Sequence, residues 1–212
     1  MFTDRRAAGH LLSERFISYR KSQTVVLGLA RGGVEVARAI ADDLNVPLDV
    51  LVVKKIPAPR NSELAIGAMA PDNIIVLDDT LVKRFQVGKS YIKEKITALR
   101  SFVSSTMAQY EHTKLPVSLE GKNLILTDDG IATGATVEAA IAWCRKKQAQ
   151  SIILAVPVAP KEVITRIATQ VDDCIVLINP REFRAVGQFY RNFTQLTDAD
   201  VNRSLAKEPV RR

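Results

Sequence analysis

Two adjacent carboxylates and a turn rich in glycine and threonine form the stretch of this sequence best suited to chemistry. Asp128 and Asp129 directly follow an apolar run at 124–127. A helical pattern begins a few residues later, and the unpaired N–H groups at a helix start carry partial positive charge. Such a turn suits a phosphate monoester, because its glycines let the backbone approach the anion. The turn consists of Gly130, Ile131, Ala132, Thr133, Gly134, Ala135 and Thr136.

The two carboxylates need a different partner from the turn. Asp128 and Asp129 cannot face the same phosphate, because like charges repel. They suit the vicinal hydroxyls of a ribose about one sugar width away, or a hydrated Mg²⁺. The segment 128–136 therefore predicts a site for a ribose 5-phosphate. The alternative is an ordinary Asp-Gly turn with a threonine cap before a helix.

Other phosphate-binding motifs fit this sequence poorly. A P-loop ending in Gly88-Lys89-Ser90 would need a glycine where Lys83 stands. The residues 28–33 do not match the Rossmann pattern Gly-x-Gly-x-x-Gly. A receiver domain also pairs aspartates after a strand, but it places them early in the chain.

The elements that position this segment follow from the apolar pattern. Continuous runs of Val, Ile and Leu predict strands buried on both faces, as in a parallel sheet. Helical patterns alternate with them, which indicates β-α-β units. We predict strands at 24–29, 49–53, 123–127, 151–156 and 174–178, helices at 7–20, 34–44, 89–110, 136–147 and 161–169, and a hairpin at 63–70 and 73–77.

Length and composition are those of an ordinary globular protein. The chain has 212 residues, of which 47% are hydrophobic and 25% charged, so we expect one α/β domain over 1–212. Its sheet should be open, twisted and mostly parallel, with helices on both faces. We expect the segments 1–22 and 179–212 to be appendages that form a small hood over the sheet.

Charge and cysteine usage indicate the kind of partner and compartment. The net charge of +7 suits nucleic acid or a phosphorylated metabolite, and we favour the metabolite. Cys144 and Cys174 are far apart and outside any Cys-x-x-Cys spacing, so we expect reduced thiols. The sequence has no apolar run of 18 residues and a charged N-terminus, so we expect no membrane association and a cytoplasmic protein.

The segment 128–136 resembles the motif that binds phosphoribosyl pyrophosphate (PRPP) in type I phosphoribosyltransferases. The shared features are a hydrophobic run, two acids and a Thr-Gly-x-Thr loop, and the resemblance covers most of the chain. It implies the type I phosphoribosyltransferase fold. It also implies that Asp128 and Asp129 contact the ribose hydroxyls, with Mg²⁺ bound through those hydroxyls or water, and that residues 130–136 bind the 5-phosphate.

Two further stretches resemble parts of the same family. Ala30, Arg31, Gly32 and Gly33 resemble its pyrophosphate loop, in which an often cis peptide turns N–H groups toward the diphosphate. Lys54-Lys55 end the second predicted strand, where family members often place a basic residue for the diphosphate. The alternatives are an ordinary turn for the first stretch and a solvated strand end for the second.

The resemblance implies a phosphoribosyltransferase that moves 5-phosphoribosyl from PRPP to a nitrogenous acceptor and releases Mg-pyrophosphate. Candidate catalytic residues are Asp128, Asp129, Arg31 and Lys55. A homodimer is usual in the family and is expected here. The alternative function is a non-catalytic PRPP or nucleotide sensor on the same fold.

The acceptor is less clearly indicated than PRPP. The 6-oxopurine enzymes carry an aspartate base where Ala132 stands and a lysine where Ala135 stands, which argues against hypoxanthine and guanine. We expect Phe183, Phe189 and Tyr190 in the acceptor hood, where aromatic rings can stack on a base; the alternative is packing against the core. A mobile loop that excludes water is expected at 57–62 or 78–90.

A closer likeness is to stand-alone bacterial phosphoribosyltransferase-like proteins of unassigned substrate. It is carried by short matches near both ends of the chain and in the predicted hairpin. These are Asp4-Arg5 with Ala8-Gly9, Lys55-Ile56 with 63–67, and Phe183 with 185–187 and Phe189-Tyr190.

Overall fold

The computed structural model describes residues 1–19, 23–111 and 118–206. The strands are β1 (Thr24–Leu29), β2 (Leu48–Leu51), β3 (Lys54–Ala58), β4 (Asn61–Ala70), β5 (Ile74–Leu77), β6 (Asn123–Thr127), β7 (Ser151–Val158) and β8 (Asp173–Ile178). The helices are α1 (Arg5–Ser13), α2 (Gly32–Leu44), α3 (Asp79–Arg84), α4 (Lys89–Glu111), α5 (Ala135–Lys146), α6 (Lys161–Ile167) and α7 (Asp198–Ala206). Short 3₁₀ segments follow α1 and α6, and a third covers Val186–Phe189.

Five strands form the large sheet, in the order β2-β1-β6-β7-β8. All of its strand pairs are parallel, which confirms the predicted α/β class. The order reverses between β1 and β6, so the loops after these two strands lie side by side. In open α/β sheets such a switch point is where ligands bind.

Helices cover both faces of the large sheet because successive side chains of each strand point to opposite sides. Val26 and Ile125 pack toward α1 and α2. Leu27 and Leu126, one position further along, pack toward α5. Both sets are completely buried, which explains why the strands are continuous apolar runs.

The predicted hairpin is part of a small antiparallel sheet in the order β3-β4-β5. The predicted second strand is wrong at its end: β2 stops at Leu51, and Lys54-Lys55 open β3 in the small sheet. The range 57–62 is the end of the β3–β4 hairpin, and the range 78–90 contains α3. The sequence shows no break here because β2 and β3 are separated by only two apolar residues.

The N-terminal residues meet the segment 189–191 beside the large sheet. Phe2 donates its N–H to the carbonyl of Phe189 at 2.7 Å, and Arg191 donates to the carbonyl of Phe2 at 2.9 Å. Phe2, Ala8 and Tyr190 form a buried group that we call the terminal cluster. The predicted appendages therefore pack on each other, although residues 20–22 and 207–212 lie outside the described ranges.

Two remaining sequence features can be placed. Cys144 is buried, Cys174 is part-buried, and both are free thiols. Within the described ranges, every helix falls short of the length or apolar character needed to cross a bilayer.

Candidate functional site

The loops after β1 and β6 are in contact. A Cβ atom on Gly32 would lie 2.0 Å from Oδ2 of Asp129, and one on Gly33 would lie 2.8 Å from the carbonyl oxygen of Thr127. Only glycine fits at either position, so the close contact depends on both. The Ala30–Arg31 peptide bond in the first loop is cis, as the resemblance implies.

The acidic pair is part-buried at the end of β6. Oδ1 of Asp128 accepts the N–H of Asp129 at 2.8 Å. Burial, together with the neighbouring Asp129 carboxylate, raises the pKa of Asp128 well above its usual range. Burial also raises the pKa of Asp129, although Arg5 opposes the shift. Hydroxyl donors or cations stabilise the charged form of a carboxylate pair of this kind.

Arg5 is a site residue that the sequence pattern did not identify as such. Its Nε donates to Oδ2 of Asp129 at 2.8 Å, and its side chain is only 7% exposed. Its Nη1 donates to the carbonyl of Thr194 at 2.8 Å, and its guanidinium stacks on the Phe193 ring. Arg5 therefore fixes one of the two carboxylates. The Asp4-Arg5 match near the N-terminus was the available signal.

The aromatic segment 189–193 contacts the backbone of the acidic pair. Tyr190 is buried, and its hydroxyl donates to the carbonyl of Asp129 at 2.6 Å. Its ring packs against Phe2 and stacks on Phe193. Tyr190 thus holds the turn at 128–129, and its ring packs on Phe2 and Phe193 rather than facing an open acceptor side.

Phe183 and Phe189 stack on each other with ring centroids 5.8 Å apart, and both remain partly exposed. Val186 between them packs on Gly130, where a Cβ would lie 2.7 Å from its Cγ1. The segment 183–189 thus lies beside the turn after the acidic pair. Its role as an acceptor hood stays a prediction.

The turn at 130–134 leads into α5, as the phosphate-binding prediction requires. Gly134 precedes the helix with φ of 88°, a left-handed conformation that favours glycine. No side chain of the described residues caps this helix start, so its first N–H groups remain available to an anion. Ala132 and Thr133 are exposed.

The side chains of Lys54 and Lys55 point to opposite faces of the small sheet, because they are neighbours in β3. Lys55 is exposed, and its positive charge opposes the raised pKa of Asp128. Lys54 lies over the Phe102 ring, 4.3 Å from its centroid. Burial lowers the pKa of Lys54, and the positive charge of Arg31 lowers it further. Lys55 is thus close enough to Asp128, and Lys54 to Arg31, for their charges to interact.

The acidic pair can bind Mg²⁺ only together with a substrate, in a complex of protein, metal and substrate. Across the described residues, His, Cys, Asp and Glu form no group of three or more that could hold a metal. Asp128 and Asp129 offer hard carboxylate oxygens, and Mg²⁺ commonly uses one or two carboxylates with substrate phosphates and water. The residues present fit this mode of binding.

Comparison with known proteins agrees with this arrangement. The sequence profile of the phosphoribosyl transferase domain matches residues 4–192. The chain belongs to the phosphoribosyl transferase family. Proteins of two Mycobacterium tuberculosis strains, CDC 1551 and H37Rv, are each 38% identical over 201 residues, and their names describe them as provisional phosphoribosyl transferases.

The matched region covers 95% of this chain but 45% of each mycobacterial protein, so the chain spans less than half of their length. The crystal structure of TT1426 from Thermus thermophilus is 36% identical, with a TM-score of 0.81 and 97% of both chains covered. This phosphoribosyl transferase family member therefore shares its overall fold with a solved structure.

Proposed function

We propose that this chain transfers 5-phosphoribosyl from PRPP to a nitrogenous acceptor and releases Mg-pyrophosphate. The observation that carries the proposal is the contact between the β1 loop and the β6 segment at the switch point of the sheet. In this proposal a single PRPP molecule places its diphosphate at the loop 30–33 and its ribose at the acidic pair. Its terminal phosphate lies at the turn 130–136.

Each group has a distinct part in the proposed reaction. The C1–O bond to the diphosphate breaks as the bond from C1 to the acceptor nitrogen forms, with an oxocarbenium-like sugar between them. Asp128 and Asp129 hold the ribose and place negative charge near the cationic sugar. Arg31, Lys54 and Lys55 stabilise the charge that builds on the departing diphosphate. Mg²⁺, when bound, neutralises further charge on the diphosphate.

We propose an acceptor other than hypoxanthine or guanine. Ala132 is exposed at the position where the 6-oxopurine enzymes carry an aspartate base, so this position offers no carboxylate to such a purine. Phe183 and Phe189 are the aromatic residues we assign to the acceptor side. The proposal also includes a single domain, a homodimer, a cytoplasmic location and a role in nucleotide metabolism, all from the family resemblance.

The test is release of pyrophosphate from PRPP with Mg²⁺ and a panel of purine, pyrimidine and other nitrogenous acceptors. We expect release with one acceptor class and none in the absence of acceptor. Asp128→Asn, prepared in parallel, should release none, which excludes a contaminating transferase. Omission of Mg²⁺ should also abolish release.

The same panel decides between an enzyme and a sensor. Calorimetry with PRPP should accompany the assay, because a sensor binds PRPP without turning it over. Tight PRPP binding with no pyrophosphate release from any acceptor would overturn the enzymatic proposal and leave the sensor. Absence of PRPP binding would overturn both.

A further inference from the structure

Arg166 of α6 contacts the turn assigned to the 5-phosphate. Its Nη2 donates to the carbonyl oxygen of Thr133 at 2.6 Å, and its Nε donates to Oε1 of Glu138 at 2.9 Å. Glu138 lies in the first turn of α5 and is also bonded by Gln170 at 3.4 Å. A single planar guanidinium thus joins the last part of the turn to the start of the helix.

The same side chain leaves no room beside Gly134. A Cβ atom there would lie 3.0 Å from Nη2 of Arg166 and 2.7 Å from Cδ1 of Ile167. Because Gly134 also has the left-handed φ of 88°, its conformation and its packing against α6 specify the same residue. Helix α6 therefore forms the outer wall of the turn.

The carbonyl contact determines which way the next amide points. The cis peptide bond of the described chain is Ala30–Arg31, so the Thr133–Gly134 peptide is trans and planar. In a planar trans peptide the C=O and the following N–H point in opposite directions. With the Thr133 carbonyl bonded to the Arg166 guanidinium, the Gly134 N–H points away from that guanidinium. A flipped peptide would turn the carbonyl oxygen toward an anion and repel it.

We propose that Arg166 is a positioning residue that sets the turn 130–134 for the terminal phosphate of the substrate. This inference rests on the proposed function, because that function assigns the turn to the 5-phosphate. Arg166 acts through Thr133 and Glu138 rather than as a point charge. Lysine cannot reproduce this contact, because its single ammonium lacks the planar fork that spans both acceptors.

The contact has little to do with global stability. The Arg166 side chain is 52% exposed, and exposed ion pairs contribute little to the free energy of unfolding. Arg145 provides a matched control, because it lies on the neighbouring α5, is 42% exposed and pairs with Asp172 at 3.0 Å. Its replacement removes the same charge and a comparable ion pair without touching the turn.

The experiment is calorimetric titration with two probes, ribose 5-phosphate for the turn and Mg-pyrophosphate for the loop 30–33. We expect Arg166→Gln and Arg166→Lys each to weaken ribose 5-phosphate binding by about tenfold and to leave pyrophosphate binding unchanged. Arg145→Gln should bind both probes as the parent does. All three variants should melt near the parent temperature.

Several outcomes would overturn the inference while the proposed function stands. These are parent-like ribose 5-phosphate binding by Arg166→Gln, parent-like binding by Arg166→Lys, or an equal loss of both probes. If the parent protein does not bind ribose 5-phosphate, the inference fails; if it does not bind PRPP either, the proposed function fails with it.

Discussion

At the scale of single residues, the two members of the acidic pair have different surroundings. Asp129 is bonded to Arg5 and, through its carbonyl, to Tyr190. The carboxylate of Asp128 accepts a backbone N–H from its neighbour, and burial raises its pKa. Amide substitutions at the two positions should therefore differ in their effect on stability, although both remove a carboxylate assigned to the ribose.

Asp128→Asn should raise the melting temperature near neutral pH. The raised pKa means that the folded protein binds the Asp128 proton more tightly than the unfolded chain does. The resulting stability is present below the ordinary pKa of 3.8 and is lost as pH rises through the folded pKa. Asparagine stays neutral and keeps the oxygen that accepts the Asp129 N–H. Thermal unfolding in a chelator, measured from pH 3 to 8, should show the two proteins converging at low pH; a lower melting temperature for the variant at neutral pH would contradict this.

Asp129→Asn should be less stable than Asp128→Asn at pH 7, because burial raises the pKa of both carboxyls but only Asp129 is the charged partner of the buried Arg5. Removing one partner of a buried charged hydrogen bond costs about 1–3 kcal/mol. Urea unfolding at pH 7 provides the measurement, and Asp128→Asn is the comparison at the adjacent position. Equal unfolding free energies for the two variants would show that Arg5 does not depend on this carboxylate.

Gly134→Ala should lose affinity for ribose 5-phosphate. Its positive φ costs an alanine about 1–2 kcal/mol, and its Cβ would collide with Ile167. Gly121→Ala is the matched control, since Gly121 has φ of 66° but no atom within 4 Å of an added Cβ. The control should lose stability through the backbone alone and keep its affinity. Equal affinity in the two variants would remove the turn from the binding site.

At the scale of elements, Asp72 in the turn between β4 and β5 makes polar contacts that join the small sheet to α5. Nε1 of Trp143 donates to Oδ2 of Asp72 at 2.9 Å, and the Lys147 ammonium lies 2.8 Å from the same oxygen. These contacts lower the pKa of Asp72, with the Lys147 hydrogen bond as the largest cause. Since β3 carries Lys54 and Lys55, this tie helps to hold both lysines at the site.

Trp143→Phe should loosen the small sheet more than it weakens the fold as a whole. Loss of the indole donor costs about 1 kcal/mol, and backbone amides of β3–β5 should exchange faster with deuterium than those of β6 and β7. Lys147→Gln is the milder comparison, because that pair is about 40% exposed on each side and worth little. Equal acceleration in both sheets would argue against a local tie.

At the scale of the whole molecule, the sequence predicts the features that depend on residues close together along the chain. The strands of the large sheet, the helices after β1, β6 and β7 and the segment 128–136 follow from local apolar patterns and turn chemistry. The contacts of Arg5 with Asp129, Tyr190 with Asp129 and Arg166 with Thr133 join residues 124, 61 and 33 positions apart. No local pattern encodes such contacts, since each depends on how the elements pack.

The boundary between the two sheets shows the same limit. Residues 50–53, from β2 up to the start of β3, have the continuous apolar character of one strand, and nothing in Leu51-Val52-Val53 marks the change of sheet. The small sheet becomes separate only because β3 pairs with β4. That long-range pairing places Lys54 at the start of a strand rather than at the end of one.

The contact between the β1 loop and the β6 segment also has a thermodynamic consequence. These stretches belong to opposite halves of the chain, so a molecule that spans them acts as a reversible crosslink between segments that the unfolded chain holds far apart. Since the unfolded chain lacks this juxtaposition, mass action should raise the temperature of heat denaturation with the logarithm of free PRPP concentration. Ribose 5-phosphate and pyrophosphate, each of which contacts one side only and should therefore bind more weakly, should protect the protein less than PRPP at equal free concentration.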